Sequence, residues 1–188
     1  MDLGSASRKI SPALKRRAAR IRLLLMDVDG VLTDGHICLQ SLPDGTTAEM
    51  KVFHSQDGAG LKLAGLAGLR TGLITGRDSA AVTRRAQEAG MDFVYQGQAE
   101  KLSAYDEILR RVGLKDEEVA YVGDDLADLP VLARVGLGVA VVNAVPEVKK
   151  AAHYITTRAG GSGAVREVIE LVLQAQGKWA QAIRIARA

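Results

Sequence analysis

The sequence predicts an α/β fold, a doubly wound parallel sheet with crossover helices, on three observations. Short apolar runs alternate with longer helix-patterned stretches from residue 23 onward. The residue after each run is polar or turn-forming: Asp27, Thr75, Gln96, Gly123 and Asn143. Such groups collect at the carboxyl ends of the strands, where open α/β sheets bind ligands. The 188 residues, 47% hydrophobic and 25% charged, suit one soluble globular domain, and no internal repeat or low-complexity tract interrupts them.

The first element is a basic arm. Residues 1–22 carry seven basic side chains against Asp2, a net +6, which leaves −3 for the other residues out of a formal +3. A nucleic-acid groove would belong to the fold itself, whereas this charge sits in one terminal segment that reads as a solvated or packing helix. An anionic partner and an Arg-rich transit peptide are the alternatives. Residues 23–188 form a single domain. Its first strand is the apolar run Leu23-Leu24-Leu25-Met26. A β-hairpin excursion follows over residues 35–53, closed by the Asp44-Gly45 turn. Periodicity then predicts helices over 58–69, 79–89, 100–112, 126–135 and 146–151, with strands over 72–74, 93–95, 119–122 and 138–142. Residues 158–163, with three glycines, read as a flexible loop before a helix over 164–176, and 178–188 either continues as helix or frays.

Several function classes are disfavoured. The single Cys38 forms no internal disulfide, and His36, His54 and His153 lack zinc spacing, which fits a reducing cytoplasm. Aromatic residues are 4% of the chain, too few to build stacking surfaces for single-stranded nucleic acid. No apolar run approaches the roughly 18 residues of a membrane span, and no secretory signal is evident.

The strongest chemical signal is Asp27-Val28-Asp29-Gly30 directly after the first strand. Residues two apart on a strand share a face, so both carboxylates point into one pocket, and Gly30 lets the chain turn. Like charges so close call for a cation or a raised pKa. A second acidic cluster, Asp124-Asp125-Leu126-Ala127-Asp128, follows the strand over 119–122. At the same sheet edge it completes an oxygen-rich site suited to Mg2+. Asp125 and Asp128 also read as a helix cap and a first-turn charge. Thr75, at a strand end before Gly76, offers a hydroxyl and backbone N–H groups to a phosphate, and Lys101 adds positive charge. Gly58, Gly60, Gly65 and Gly68 do not make a dinucleotide fingerprint, because they follow the hairpin and not the first strand.

In this order, Asp27-x-Asp29, Thr75, Lys101 and Asp124-Asp125-x-x-Asp128 resemble the four motifs of the haloacid dehalogenase superfamily, with its Rossmann-like sheet. The residues Asp27-Val28-Asp29-Gly30-Val31-Leu32-Thr33-Asp34-Gly35, Asp57-Gly58-x-Gly60, Thr75-Gly76-Arg77, Tyr95-Gln96-Gly97-Gln98 and Gly160-Gly161-x-Gly163-Ala164-Val165-Arg166-Glu167 narrow the likeness. They are similar to the superfamily's 3-deoxy-D-manno-octulosonate 8-phosphate phosphatases, which serve lipopolysaccharide precursor synthesis. The resemblance implies an aspartyl-phosphate mechanism with Asp27 as nucleophile and Asp29 as general acid and base. Thr75 and Lys101 then hold the phosphoryl group, and Asp27, Asp124 and the Asp29 backbone carbonyl bind Mg2+. Expected contacts for the sugar are Asp29, Lys101, His54, Ser55, Gln56, Asp57 and Gly58, with Lys62, Arg77 and Arg85 as candidate anchors for its carboxylate. Arg84 reads as a solvated helix edge.

The intervals between motifs leave room for a hairpin but no cap domain, so a lone subunit would keep its pocket open to water. The resemblance implies a homo-oligomer, a tetramer joined through the hairpins, with the Gly-rich segment reaching over an adjacent site. A nonulosonate 9-phosphate phosphatase shares these motifs and is the alternative. A phospho-receiver domain is the reading from another class. Its order of motifs differs, since Phe93-Val94-Tyr95 runs into Gln96-Gly97 with no isolated acid, and the second acidic cluster comes after Lys101.

Overall fold

The computed structural model describes residues 10–186; the first nine residues of the basic arm and the last two of the chain lie outside the described residues. In chain order the elements are α1 (Pro12–Ala19), β1 (Leu23–Met26), β2 (Cys38–Ser41), β3 (Thr47–Met50), α2 (Ser55–Leu66), β4 (Arg70–Ile74), α3 (Ala80–Ala89), β5 (Phe93–Tyr95) and α4 (Lys101–Val112). Then come β6 (Val119–Gly123), α5 (Leu129–Leu132), β7 (Leu137–Ala140), α6 (Pro146–Ala151), β8 (Tyr154–Ile155), α7 (Ala164–Ala175) and α8 (Trp179–Ala186).

Six strands form a parallel sheet in the order β5-β4-β1-β6-β7-β8. The chain builds outward from β1 to β5, then crosses back through α4 to lay β6 on the other flank of β1. That reversal makes β1 the topological switch point, and the crevice beyond its carboxyl end is where such sheets bind ligands. Met26 is in register with Leu73 of β4 and Val122 of β6, which brings the segments after all three strands together. Every side chain of β1 is buried, as a central strand covered on both faces requires. One layer contains α2 packed on α7, with α1 and α8 also against α7, and the other contains α4, α5 and α6.

Four features differ from the sequence reading. Helix α2 starts at Ser55, three residues before the predicted start, and runs through Gly58 and Gly60. A side chain at Gly58 would meet the Arg85 guanidinium, and one at Gly60 would meet Arg166, so these glycines mark close packing and not a helix start. The helix predicted over 126–135 is a 3-10 turn over Leu126–Asp128 followed by the short α5, because Asp128 turns its carboxylate back onto the N–H groups of Asp124 and Asp125. The two-residue β8 was not predicted at all. Lastly, the Gly-rich segment is not free. Gly161 donates to the Val31 carbonyl at 3.1 Å, and Gly160 sits so close to the Gly30 carbonyl that no Cβ fits there. It docks on the loop that follows β1 of its own chain.

The predicted hairpin interval holds the antiparallel ribbon β2-β3, with Cys38 paired to Met50 and Ser41 to Thr47. Gly45 at its turn has φ +82°, a left-handed conformation that suits glycine. Within the arm, α1 is capped by the Ser11 hydroxyl, which accepts from the Leu14 N–H, and it buries Ala18. Among the described residues, no helix is long and apolar enough to cross a membrane.

Candidate active site

The ends of β1 and β6 and the start of α4 converge on one cluster of charges. Asp27, next after β1, donates its N–H to the Val122 carbonyl at 3.0 Å, which continues the β1-β6 ladder and fixes its direction. Its Oδ1 accepts from the Val28 N–H at 2.7 Å, and its Oδ2 lies 2.8 Å from Lys101 Nζ. Lys101 opens α4 and is buried. It bridges Asp27 to Asp128, whose Oδ1 is 2.7 Å away. Asp128 Oδ1 also accepts from the Tyr121 hydroxyl at 2.7 Å, and Asp128 Oδ2 accepts from the N–H groups of Asp124 and Asp125. Both oxygens of Asp128 are thus occupied in holding Lys101 and the loop after β6.

Asp124 differs. Its Oδ1 is buried with no hydrogen-bond partner, and a side chain at Gly30 would collide with its carboxylate. Burial, reinforced by the negative charge of Asp27 and Asp128, pushes the Asp124 carboxyl up to about 7. Asp27 is pushed up to about 6, chiefly by burial against the opposing pull of Lys101. Burial alone would lower the Lys101 ammonium, but Asp27 and Asp128 together outweigh it and raise its pKa. Oxygens of Asp27, Asp124 and Asp128 lie within 4.8 Å of one another. An orphaned carboxylate oxygen among buried acids that one ammonium does not neutralise fits a divalent cation, and an all-oxygen donor set fits Mg2+.

The loop after β1 is held by Thr33 and Asn143, two residues to which the sequence reading assigns no role in the site. Thr33 is buried, and its hydroxyl accepts from the N–H groups of Gly30 and Gly35 and donates to the Val28 carbonyl. Asn143 donates to the Gly30 carbonyl at 3.1 Å and accepts from the Gly160 N–H at 2.7 Å. Asp29 points toward the ribbon, where it pairs with Lys51 and lies 3.7 Å from Arg77 Nε. Lys51, one residue past β3, has no role in the sequence reading either.

Thr75 is buried after β4, with its N–H on the Tyr95 carbonyl and its carbonyl accepting from the Gln98 N–H, both at 2.9 Å. Arg77 Nη2 lies 3.1 Å from Glu49 Oε1. A pocket of about 410 Å³ beside this cluster is lined by Lys51, Phe53, Ser55, Ala81, Arg84, Arg85 and Glu88. Arg84 therefore reaches the pocket rim, although its side chain is largely exposed and paired with Glu88.

The remaining expected sugar contacts fall in different places. Arg85 is engaged within the protein. Its Nη2 donates to the His54 carbonyl at 3.2 Å, and its guanidinium lies over the Phe53 ring. His54 caps α2 in position only, with no side-chain cap hydrogen bond, and its buried Nδ1 has no partner. Gln56 accepts from Arg158, and Asp57 accepts from the Arg166 N–H at 2.7 Å. Asp57 thus fastens α2 to the start of α7, with burial raising its pKa. Gly58 is packed under Arg85, and Lys62 is exposed on α2.

Comparison with known proteins gives this geometry a context. The haloacid dehalogenase-like hydrolase family profile matches residues 77–169. The 3-deoxy-D-manno-octulosonate 8-phosphate phosphatase KdsC of Salmonella typhimurium is 45% identical over 169 residues, covering 90% of this chain and 88% of that protein. The solved structure of the phosphatase of that name from Yersinia pestis is similar with a TM-score of 0.87 and 44% identity, over 91% of this chain and 90% of that chain. The Moraxella catarrhalis phosphatase, solved in complex with magnesium ion, phosphate ion and a KDO molecule, is similar with a TM-score of 0.86 and 42% identity, over 92% of this chain and 97% of that chain.

Proposed function

The chain belongs to the haloacid dehalogenase-like hydrolases and, within them, to the 3-deoxy-D-manno-octulosonate 8-phosphate phosphatases, and from that premise we propose that it hydrolyses this sugar-acid phosphate with Mg2+ to the free sugar acid and phosphate. The observation that carries the reading is the buried Asp27-Lys101-Asp128 chain beside the unpartnered oxygen of Asp124, at the switch point of the sheet. In our reading residues 23–188 are the catalytic domain, working in the cytoplasm on a lipopolysaccharide precursor.

Asp27 attacks phosphorus in line and becomes an aspartyl phosphate, while Asp29 gives a proton to the departing sugar oxygen. Asp29 then takes a proton from the water that cleaves the acyl phosphate, so that one hard displacement becomes two easier ones. Lys101 and Thr75 hold the phosphoryl oxygens through both steps. Asp27, Asp124 and the Asp29 backbone carbonyl would hold Mg2+, which supplies the positive charge that lets a carboxylate approach a phosphate. Without it, one pair of like charges at about 4 Å and an effective dielectric near 20 costs roughly 4 kcal/mol.

No cap domain is part of this reading. The ribbon exposes Leu39 and Met50, with Val52 exposed just beyond it, and an isolated two-stranded ribbon is marginally stable, which supports a homotetramer joined there. Sedimentation of the wild type and a Leu39→Asp, Met50→Asp double variant tests this. Phosphate release from a panel of eight- and nine-carbon keto-acid phosphates tests the function, with Asp27→Asn as the inactive control. Preference for a nine-carbon substrate, or turnover by metal-replete Asp27→Asn, overturns the corresponding part.

A further inference from the structure

Lys51, one residue past β3, is drawn inward from the ribbon. Its side chain is only 2% exposed, its ammonium pairs with Asp29, and it lies 3.5 Å from Glu49 Oε1. Arg77 completes a ring, 3.1 Å from the same Glu49 oxygen and 3.7 Å from Asp29 Oδ2. Acids and bases alternate around it: Asp29, Lys51, Glu49, Arg77. A lysine buried to this degree is costly unless its charge is met, and here two carboxylates meet it. The same side chain lines the pocket of about 410 Å³ that also holds Phe53, Ser55 and Arg85. Lys51 therefore stands between that pocket and Asp29, directly after a strand whose pairing with β2 fixes where it can reach.

We infer that Lys51 is the positioning residue for Asp29: it fixes the rotamer from which the carboxyl meets the bridging oxygen of a substrate in that pocket. The ribbon, on this account, delivers a lysine to the acid as well as offering a surface. The inference rests on the reading of Asp29 as acid and base, and it concerns geometry, since the groups that Lys51 meets are Asp29 and Glu49.

The test uses the full chain with Mg2+ supplied. Lys51→Met keeps the volume of the stem and removes the charge, and Lys51→Arg keeps the charge. Each is made alone and on an Asp29→Asn background. The substrates are the octulosonate 8-phosphate and p-nitrophenyl phosphate, whose leaving group departs without a proton. Lys51→Met should lower kcat on the sugar phosphate by about tenfold to a hundredfold, part of what general acid catalysis contributes, with KM moving less than about threefold. The first-turnover burst of p-nitrophenolate should stay at the wild-type rate. Lys51→Arg should recover most of the loss, and Lys51→Met should add little to Asp29→Asn, because residues acting as one unit are not additive.

A loss expressed in KM would make Lys51 a substrate contact and overturn the inference, as would an equal loss in the burst or an additive loss in the double variant. An additive loss is also what a merely misfolded Lys51→Met would give. If Asp29→Asn leaves turnover of the sugar phosphate intact, the acid-base reading falls. If Asp29→Asn is damaged beside a silent Lys51→Met, only the role of Lys51 falls.

Discussion

Lys101 Nζ lies 2.7 Å from Asp128 Oδ1, and both side chains are buried. The pair places the ammonium against Asp27 before any substrate arrives, so its positive charge needs no reorganisation when a phosphoryl group is bound. Lys101→Ala should therefore lower kcat more than it raises KM. Asp128→Ala should cost more in stability, about 3–5 kcal/mol, because it strands a buried ammonium together with the Tyr121 hydroxyl and two backbone N–H groups. Steady-state kinetics and urea unfolding check the two. A loss confined to KM in Lys101→Ala would assign the lysine to ground-state binding.

The pH dependence of the metal-free protein follows from the raised carboxyls. Unfolded aspartates titrate near pH 3.9, whereas Asp27 is pushed up to about 6 and Asp124 up to about 7. Between those values the folded state binds protons that the unfolded state has released, so the stability they contribute is full below about pH 4 and is lost as pH rises through 6 to 7. Chelated protein should melt lower at pH 7.5 than at pH 5, by about 2–4 °C per kcal/mol. Added Mg2+ should restore more at pH 7.5, where the carboxylates are free to bind it. Asp124→Asn controls for groups that titrate oppositely, such as His153, whose pKa burial lowers. An unchanged slope in that variant would remove Asp124 from the account.

The sequence exposes this site unevenly, for physical reasons. Asp27 and Asp124 were legible because each ends an apolar run, and a parallel sheet aligns the ends of its strands. Lys101 was legible only from its order after Asp27 and Thr75, since a lysine opening a helix has no local mark of burial. Lys51 was not, because its burial depends on how the ribbon folds over Asp29. The docking of Gly160 was equally hidden. A glycine-rich segment reads as freedom of the backbone, yet here the missing side chain admits the Gly30 carbonyl. The break of the helix predicted over 126–135 comes from Asp128, a first-turn charge by pattern that in the fold is committed to Lys101, Tyr121 and two N–H groups.

Asn143 is the clip between the loop after β1 and the Gly-rich segment. Replacing it with Ala leaves the Gly30 carbonyl and the Gly160 N–H without their partner, each worth about 1–3 kcal/mol when buried. Since Gly30 lies next to Asp29 and against Asp124, activity should fall along with stability. Asn143→Asp keeps the acceptor for Gly160 but loses the donor to Gly30, so it should retain part of the stability and little of the activity. Thermal melts beside kcat on the same preparations decide. Activity unchanged in both variants would show that the clip serves the fold alone.

On the proposed function, Arg77 is our candidate to read the carboxylate of the sugar acid, and the structure sets the terms. Its position after Thr75-Gly76 fixes it near the phosphoryl site, and its side chain is half exposed at the edge of the ring formed with Asp29, Lys51 and Glu49. Arg85 is less free, since it is tied to the His54 carbonyl, stacked near Phe53 and 3.8 Å from Glu88. A charge-assisted bond to a carboxylate is worth roughly 1.5–3 kcal/mol, so Arg77→Ala should cost about tenfold to a hundredfold in kcat/KM on the octulosonate phosphate. The lower end is expected, because Glu49 already competes for the guanidinium. Two consequences separate this from a role in phosphate binding. The loss should be small on a neutral sugar phosphate of similar size, which has no carboxylate to read. Glu49→Gln, which removes the nearer of the two acids beside Arg77, should lower KM for the sugar acid and change the neutral substrate much less. Equal losses on both substrates in Arg77→Ala would show that the arginine acts through Asp29 or the phosphate, and the carboxylate would then need another anchor among the residues that line the pocket.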